Sequence, residues 1–137
     1  MLHLSAANKY YLYRGNTDMR KGFDSLSGLV SSQMQLNVLS GSVFIFLNKK
    51  HNQVKLLLWE GDGFALYYKR LEKGTYELPS GDDKECLSIS SQQLQFILQG
   101  ISLKSVRRRK RYQHSEVKSG YKTARLFSII LFLWLCK

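Results

Sequence analysis

Residues 54–74, VKLLLWEGDGFALYYKRLEKG, constrain the fold more than any other stretch of this chain. An apolar run ending in Leu58-Trp59 meets Glu60-Gly61-Asp62-Gly63, and a second β-prone run, Phe64-Ala65-Leu66-Tyr67-Tyr68, closes on Lys69-Arg70. Two such runs joined by an acidic, glycine-bearing tetrad predict a β-hairpin. Glycine takes the positive φ of a tight turn without steric cost, and aspartate tolerates it better than most residues.

The rest of the chain supplies partners for that hairpin. Residues 9–14, KYYLYR, are short, aromatic and β-prone, and stop at Gly15-Asn16, which predicts a strand. Thr17 or Asp18 offers an N-cap, and Phe23, Leu26, Leu29, Val30 and Met34 follow at helical spacing, so an amphipathic helix is expected over roughly 18–34. Gly22 and Gly28 either weaken that helix, leaving packing to hold it, or instead mark close approach to the sheet. VFIFL at 43–47 is the continuous apolar run of a strand buried on both faces. Residues 48–52 form a polar turn, and 75–78 are expected as an edge strand ended by Pro79. Ser90 with Gln93 has the form of a capping box, Leu94, Ile97 and Leu98 make one apolar helical face, and Gly100 stands where a helix would end. The order strand, helix, three or four strands, helix predicts an α+β domain on a mostly antiparallel sheet of meander hairpins, with two amphipathic helices.

Charge divides the chain unevenly. Residues 1–103 carry 11 Lys and Arg against 9 Asp and Glu, whereas residues 104–137 carry 10 against 1. The organisation is therefore a compact domain over 1–103, a basic tail over 104–125 and an apolar extension over 126–137. In the tail, Arg107, Arg108, Arg109, Lys110 and Arg111 are consecutive cations suited to phosphate contact, and DNA is the expected partner. Such contacts position a nucleic acid without reading its sequence. The extension, LFSIILFLWLC at 126–136, is shorter than the ~17–25 residues of a membrane-spanning helix.

Smaller constellations lie in the body. Arg20 and Lys21, with Arg14, form a cationic cluster near the expected first helix, where phosphate binding competes with an Arg20–Asp24 pair one helical turn apart. Lys69 and Arg70 beside Tyr67 and Tyr68 combine cations with aromatics, as surfaces for single-stranded nucleic acid do, while tyrosines covering a half-buried sheet are the plainer account. Trp59 serves hairpin packing or anchors a protein contact.

Asp18, Asp24, Glu60 and Asp62 are the only carboxylates the pattern isolates for a two-metal nuclease, and turn chemistry explains Asp62 without a metal. No catalytic residue, metal site or cofactor is assigned. Cys86 and Cys136 stand far apart, without a C-x-x-C pair or a companion histidine at ligand spacing, which argues against a structural zinc site and fits a reducing compartment. The start, MLHLSAANKYY, has no cationic segment leading into an apolar core, so a cytoplasmic protein is expected.

Several of these stretches together carry a family resemblance. TDMRKGFD at 17–24, VFIFLNKK at 43–50, LWEGDGF at 58–64, YKRLEKG at 68–74 and LQGI at 98–101 resemble the TnpB-type accessory protein of the insertion-sequence-66 family of bacterial mobile elements. The resemblance runs from about residue 11 to 111. It implies a small protein encoded beside a separate DDE-type transposase, supporting transposition, with no catalytic residues to carry over. Residues 114–137 depart from the family pattern and resemble a shifted or fused reading frame. The function expected is a non-catalytic accessory factor for DNA transposition that contacts nucleic acid, the transposase, or both. A protein-binding adaptor without DNA contact is the alternative, and a metal-dependent nuclease a more distant one.

Overall fold

A computed structural model describes residues 4–80, 84–103 and 110–112. Its strands are β1 (Tyr10–Asn16), β2 (Val43–Leu47), β3 (Gln53–Trp59), β4 (Phe64–Arg70) and β5 (Cys86–Ile89). Helices α1 (Phe23–Leu29), which continues through a wider π turn at Val30–Met34, and α2 (Ser91–Gln99) complete it. The strands form one sheet in the order β4-β3-β2-β1-β5. Every pairing is antiparallel except β1 with β2, so the fold is α+β on a mostly antiparallel sheet.

The hairpin stands where its sequence places it. Trp59 pairs with Phe64, their rings meeting edge-on at 4.9 Å, and the Glu60 N–H donates to the Gly63 carbonyl at 2.9 Å. Gly61 supplies the turn's one positive φ, +94°, and Asp62 does not share it.

β2 lies at the centre, and all five of its residues are buried. Phe44 and Phe46 face α1, packing with Leu26, Val30, Met34 and Leu57. Val43, Ile45 and Leu47 face the other way, into a larger cluster with Tyr10, Leu12, Val54, Leu56 and Ile89, closed by Leu94 and Ile97 of α2 and by Leu71 and Tyr76. The sheet is thus sandwiched between α1 and α2. A parallel β1-α1-β2 unit inside the meander explains why β2 reads as an unbroken apolar run: helices cover both of its faces.

Three local expectations change. The first helix begins at Phe23, not near residue 18, and its N-cap is Gly22, with no side-chain cap. The cause is a competition for carbonyls. Those of Met19 and Lys21, which would accept helical N–H groups, receive the Lys55 ammonium instead, at 2.7 Å each. Phe23, at the first helical position, is consequently exposed. Gly22 and Gly28 do not approach the sheet, since a Cβ on either would meet open space.

Residues 75–78 form no strand. The Tyr76 N–H donates to the His51 carbonyl, and the ring dives into the core, so the segment leaves the sheet plane. The fifth strand is β5, which pairs antiparallel with β1 from Tyr10↔Ile89 to Tyr13↔Cys86.

The capping box at α2 is complete: the Ser90 hydroxyl accepts from the Gln93 N–H, and the Gln93 side chain accepts from the Ser90 N–H. Gly100, in a left-handed conformation, closes the helix. Among the described residues no helix is long and apolar enough to cross a membrane. The apolar extension at 126–137 lies outside them.

Candidate nucleic-acid interface

Strand direction sorts the charges. The C-terminal ends of β1, β2 and β4 and the start of β3 lie at one end of the sheet, because Leu47 pairs with both Asn16 and Val54, and Gln53 pairs with Arg70. The loops at that end are 17–22, 48–52 and 71–76, and they carry Arg20, Lys21, Lys49, Lys50 and Lys73 beside Lys69 and Arg70 of β4. The acidic turn with Glu60 and Asp62 caps the opposite end, a strand length of about 20 Å away. The molecule is electrically polarised along its strands.

Each loop of the basic end is held by specific bonds. In 17–22 the Thr17 N–H donates to the Leu47 carbonyl at 2.9 Å, anchoring the loop to β2. Asp18 then turns the chain, its Oδ1 accepting the Arg20 N–H at 2.9 Å, while the Arg20 guanidinium grips the same carboxylate at 2.7–3.1 Å. Those side-chain bonds, then the backbone one, pull the Asp18 carboxyl from the ordinary 3.8 down to about 2. Arg20 therefore pairs with Asp18 rather than with Asp24. In 48–52 the Asn48 carbonyl oxygen Oδ1 accepts the N–H groups of Asn52 and Gln53 at 3.0 Å, and its Nδ2 donates to Asn52 Oδ1 at 2.6 Å. His51 completes the turn at φ +55°. Lys49 and Lys50 project, exposed, from this rigid loop.

Lys55 binds the pieces together, although no local pattern of residues singles it out. It occupies a β3 position with only 5% of its surface exposed, on the α1 side of the sheet. Its ammonium links the carbonyls of Met19 and Lys21 and also lies 4.7 Å from the centre of the Tyr68 ring. Burial pushes its pKa below the ordinary value, and the charge of Asp18 opposes that shift. One buried cation therefore joins the Arg20–Lys21 loop to the Tyr68–Arg70 end of β4, two clusters that are separate in sequence. Tyr68, 48% exposed, also bonds through its hydroxyl to the Gln53 side chain.

Lys69 and Arg70 separate by strand alternation: Arg70 shares the α1 face with Tyr68, whereas Lys69 shares the other with Tyr67. Arg70 pairs with Glu72 at 3.2 Å, both side chains well exposed. Lys21, Lys49, Lys50, Lys69 and Lys73 hold no carboxylate within ion-pair distance among the described residues.

The basic run enters at the same end. Arg107, Arg108 and Arg109 lie outside the described residues, but Lys110 and Arg111 are against the body. The Lys110 carbonyl sits directly over Gly74, where any Cβ would collide with it, and Gly74 is at φ +89°. The Arg111 guanidinium stacks 5.5 Å from the centre of the Tyr76 ring and donates to the carbonyls of Thr75 and Ile97 at 3.4 and 3.5 Å. Arg111 is a clasp, placed at the C-terminus of α2 where the helix dipole favours a cation. Lys110 is exposed beside Lys73 and Gly74 and extends the basic rim.

The isolated carboxylates do not converge. Asp18 and Asp24 belong to the basic end and the start of α1, Glu60 and Asp62 to the far turn, so the four make no common two-metal site. Among the described residues no group of three or more His, Cys, Asp or Glu could hold a metal.

Fold and site define a small α+β protein with a helix on each face of its sheet and one strongly basic end. The chain belongs to the family described as IS66 Orf2-like protein, whose TnpB_IS66 model matches residues 8–108. It is similar to the uncharacterized protein y4hO of Sinorhizobium fredii (strain NBRC 101917 / NGR234), at 36% identity over 93 residues, covering 68% of this chain and 80% of the relative. It is also similar to the uncharacterized protein y4jC of the same strain, at 28% over 92 residues, covering 67% and 78%. No solved structure matches.

Proposed function

We propose that this protein is an accessory factor for transposition of an insertion sequence, and that it works by gripping nucleic-acid phosphates along its basic rim. Family membership supports the setting. The observation that carries the contact is convergence: Arg20, Lys21, Lys49, Lys50, Lys69, Arg70, Lys73 and Lys110, scattered over the sequence, come to one end of the sheet, with the acidic turn at the other. Arg107, Arg108 and Arg109, next to Lys110 in sequence and outside the described residues, are further cations suited to the same contact. Phosphate contact supplies affinity and register without sequence readout, so choice of target falls to a partner, for which the separate transposase is the natural candidate. The rim performs no chemical step in this reading.

The test is fluorescence anisotropy with labelled DNA across a salt series. Each phosphate contact steepens the log–log salt slope by about 0.9 on duplex DNA. Lys49→Glu/Lys50→Glu/Lys73→Glu should weaken binding and flatten the slope by about three such units, with the circular dichroism spectrum retained. Unchanged affinity and slope in that variant overturn the rim as the contact surface. Retention of the transposase with no DNA shift at all makes the protein an adaptor instead.

A further inference from the structure

We infer that the free edge of β4 is a homodimer interface, on which a second copy of this chain adds its own β4 antiparallel with Tyr67 at the two-fold axis. β4 ends the strand order, so one edge of its ladder is unpaired within the described sheet. Two hydrogen bonds fix which residues use that edge. The Leu71 N–H donates to the Asn52 carbonyl at 2.7 Å, and the Gly63 carbonyl accepts the Glu60 N–H at 2.9 Å, so residues 63 and 71 turn toward β3. In an antiparallel ladder this alternates along the strand. Phe64, Leu66, Tyr68 and Arg70 therefore direct their N–H and C=O groups outward.

Natural sheets blunt such an edge with proline, a bulge or charge. β4 has no proline, pairs with β3 without a register shift, and is charged only at Lys69 and Arg70.

That charge selects the partner. Pairing about Tyr67 sets Phe64 opposite Arg70, Ala65 opposite Lys69 and Leu66 opposite Tyr68 of the second copy, using the whole strand. The outward groups then meet as hydrogen-bonded pairs at 64 with 70 and at 66 with 68, and no cation faces a cation. Parallel pairing would place Arg70 beside Arg70. The antiparallel arrangement also carries the acidic turn of each copy, Glu60 and Asp62, alongside the end of the other that holds Lys73 and the Arg70–Glu72 pair. The strand is complementary to itself in hydrogen bonding, and its two cations meet Ala65 and Phe64 rather than each other. Because paired residues share a face, the α1 sides of both copies lie on one side of a continuous sheet.

Cross-linking tests this on the full chain in a Cys86→Ser/Cys136→Ser background. Tyr67 meets its mate as a non-hydrogen-bonded pair, at a Cα separation of about 4.5 Å, inside the disulfide range. Residue 69 is offset from its mate by four positions, about 13 Å. Tyr67→Cys should therefore give a disulfide-linked dimer on a non-reducing gel under mild oxidation, and Lys69→Cys should not. Light scattering on the unsubstituted chain should give the dimer mass. A monomer mass, or cross-linking at 67 no faster than at 69, overturns the interface.

Discussion

The Lys55 ammonium lies 4.7 Å from the centre of the Tyr68 ring while donating to the carbonyls of Met19 and Lys21, 36 and 34 residues away in sequence. One side chain thus holds the β1–α1 loop, the edge of β4 and the start of α1 in register. Replacing it by methionine keeps the apolar stem but leaves two carbonyls without their donor. Hydrogen bonds to a charged group contribute about 1.5–3 kcal/mol, and some of that is offset because the buried charge no longer has to be desolvated. Lys55→Met should lower stability by about 2 kcal/mol in urea unfolding. It should also loosen Arg20 and Lys21, raising amide exchange through residues 18–22. A variant as stable and as protected as the parent would show that the carbonyls find other partners.

Lys55 also marks where the sequence stopped being legible. The hairpin, the buried β2 and the capping box of α2 were readable because each is a local device whose residues lie within a few positions of one another. The start of α1 was not. Its apolar spacing continues from residue 23 to 34, but the upstream boundary is set by a lysine in β3, which no local pattern announces. β5 was hidden for a related reason: four residues with one buried end need the β1 edge before they count as a strand. Residues 75–78 look more β-prone, yet Tyr76 is claimed by the core. The basic rim was half visible. Arg20, Lys21, Lys69 and Arg70 stood out beside motifs, whereas Lys49, Lys50 and Lys73 sat in turns and gained meaning only when strand direction brought those turns together.

The Asp18–Arg20 pair makes a pH prediction. The folded-state pKa of Asp18, about 2, is depressed below the ordinary 3.8 by the Arg20 guanidinium and then its backbone N–H. A depressed carboxyl stabilises the fold above its unfolded pKa, and that contribution disappears as pH falls from about 4 through about 2. Because the pair is exposed, its effect on global stability is small. The titration itself is the clean readout. Carboxyl-carbon NMR should show Asp18 titrating near 2, and Arg20→Ala should move the midpoint up toward the ordinary value. A midpoint indifferent to Arg20 would contradict the assignment.

Tyr76 predicts the opposite limb. Its ring is buried, its hydroxyl has no hydrogen-bond partner among the described residues, and burial lifts its pKa from 10.0 to about 12. A group that stays protonated in the fold but ionises in the unfolded chain contributes stability that is lost as pH rises from about 10 toward about 12. Tyr76→Phe removes an unpaired buried hydroxyl and keeps the ring under Arg111. Relieving such a group stabilises by about 1 kcal/mol where no new cavity forms. The variant should unfold at higher urea and lose the alkaline fall in stability. Clear destabilisation would reveal a partner for the hydroxyl.

The last prediction concerns where the body ends. Charge alone would place a cut after residue 103, removing the whole basic tail as an appendage. Arg111 argues for a later cut, because its guanidinium covers the Tyr76 ring and meets the Ile97 carbonyl at the end of α2. Gly74, whose hydrogen is all that fits beneath the Lys110 carbonyl, ties the same segment to the loop after β4. A cation at a helix C-terminus and one over an aromatic ring contribute about 0.5–2 kcal/mol each in partly buried settings. The chain cut after Tyr112 should therefore melt with the full-length protein, and the chain cut after Leu103 several degrees lower. Arg111→Ala in the longer form should reproduce most of that drop. The cut after Tyr112 also removes the apolar run at 126–136, so it should be the more soluble of the two long forms. Equal melting of the 103 and 112 cuts would make Arg111 a passenger on the surface instead of part of the fold.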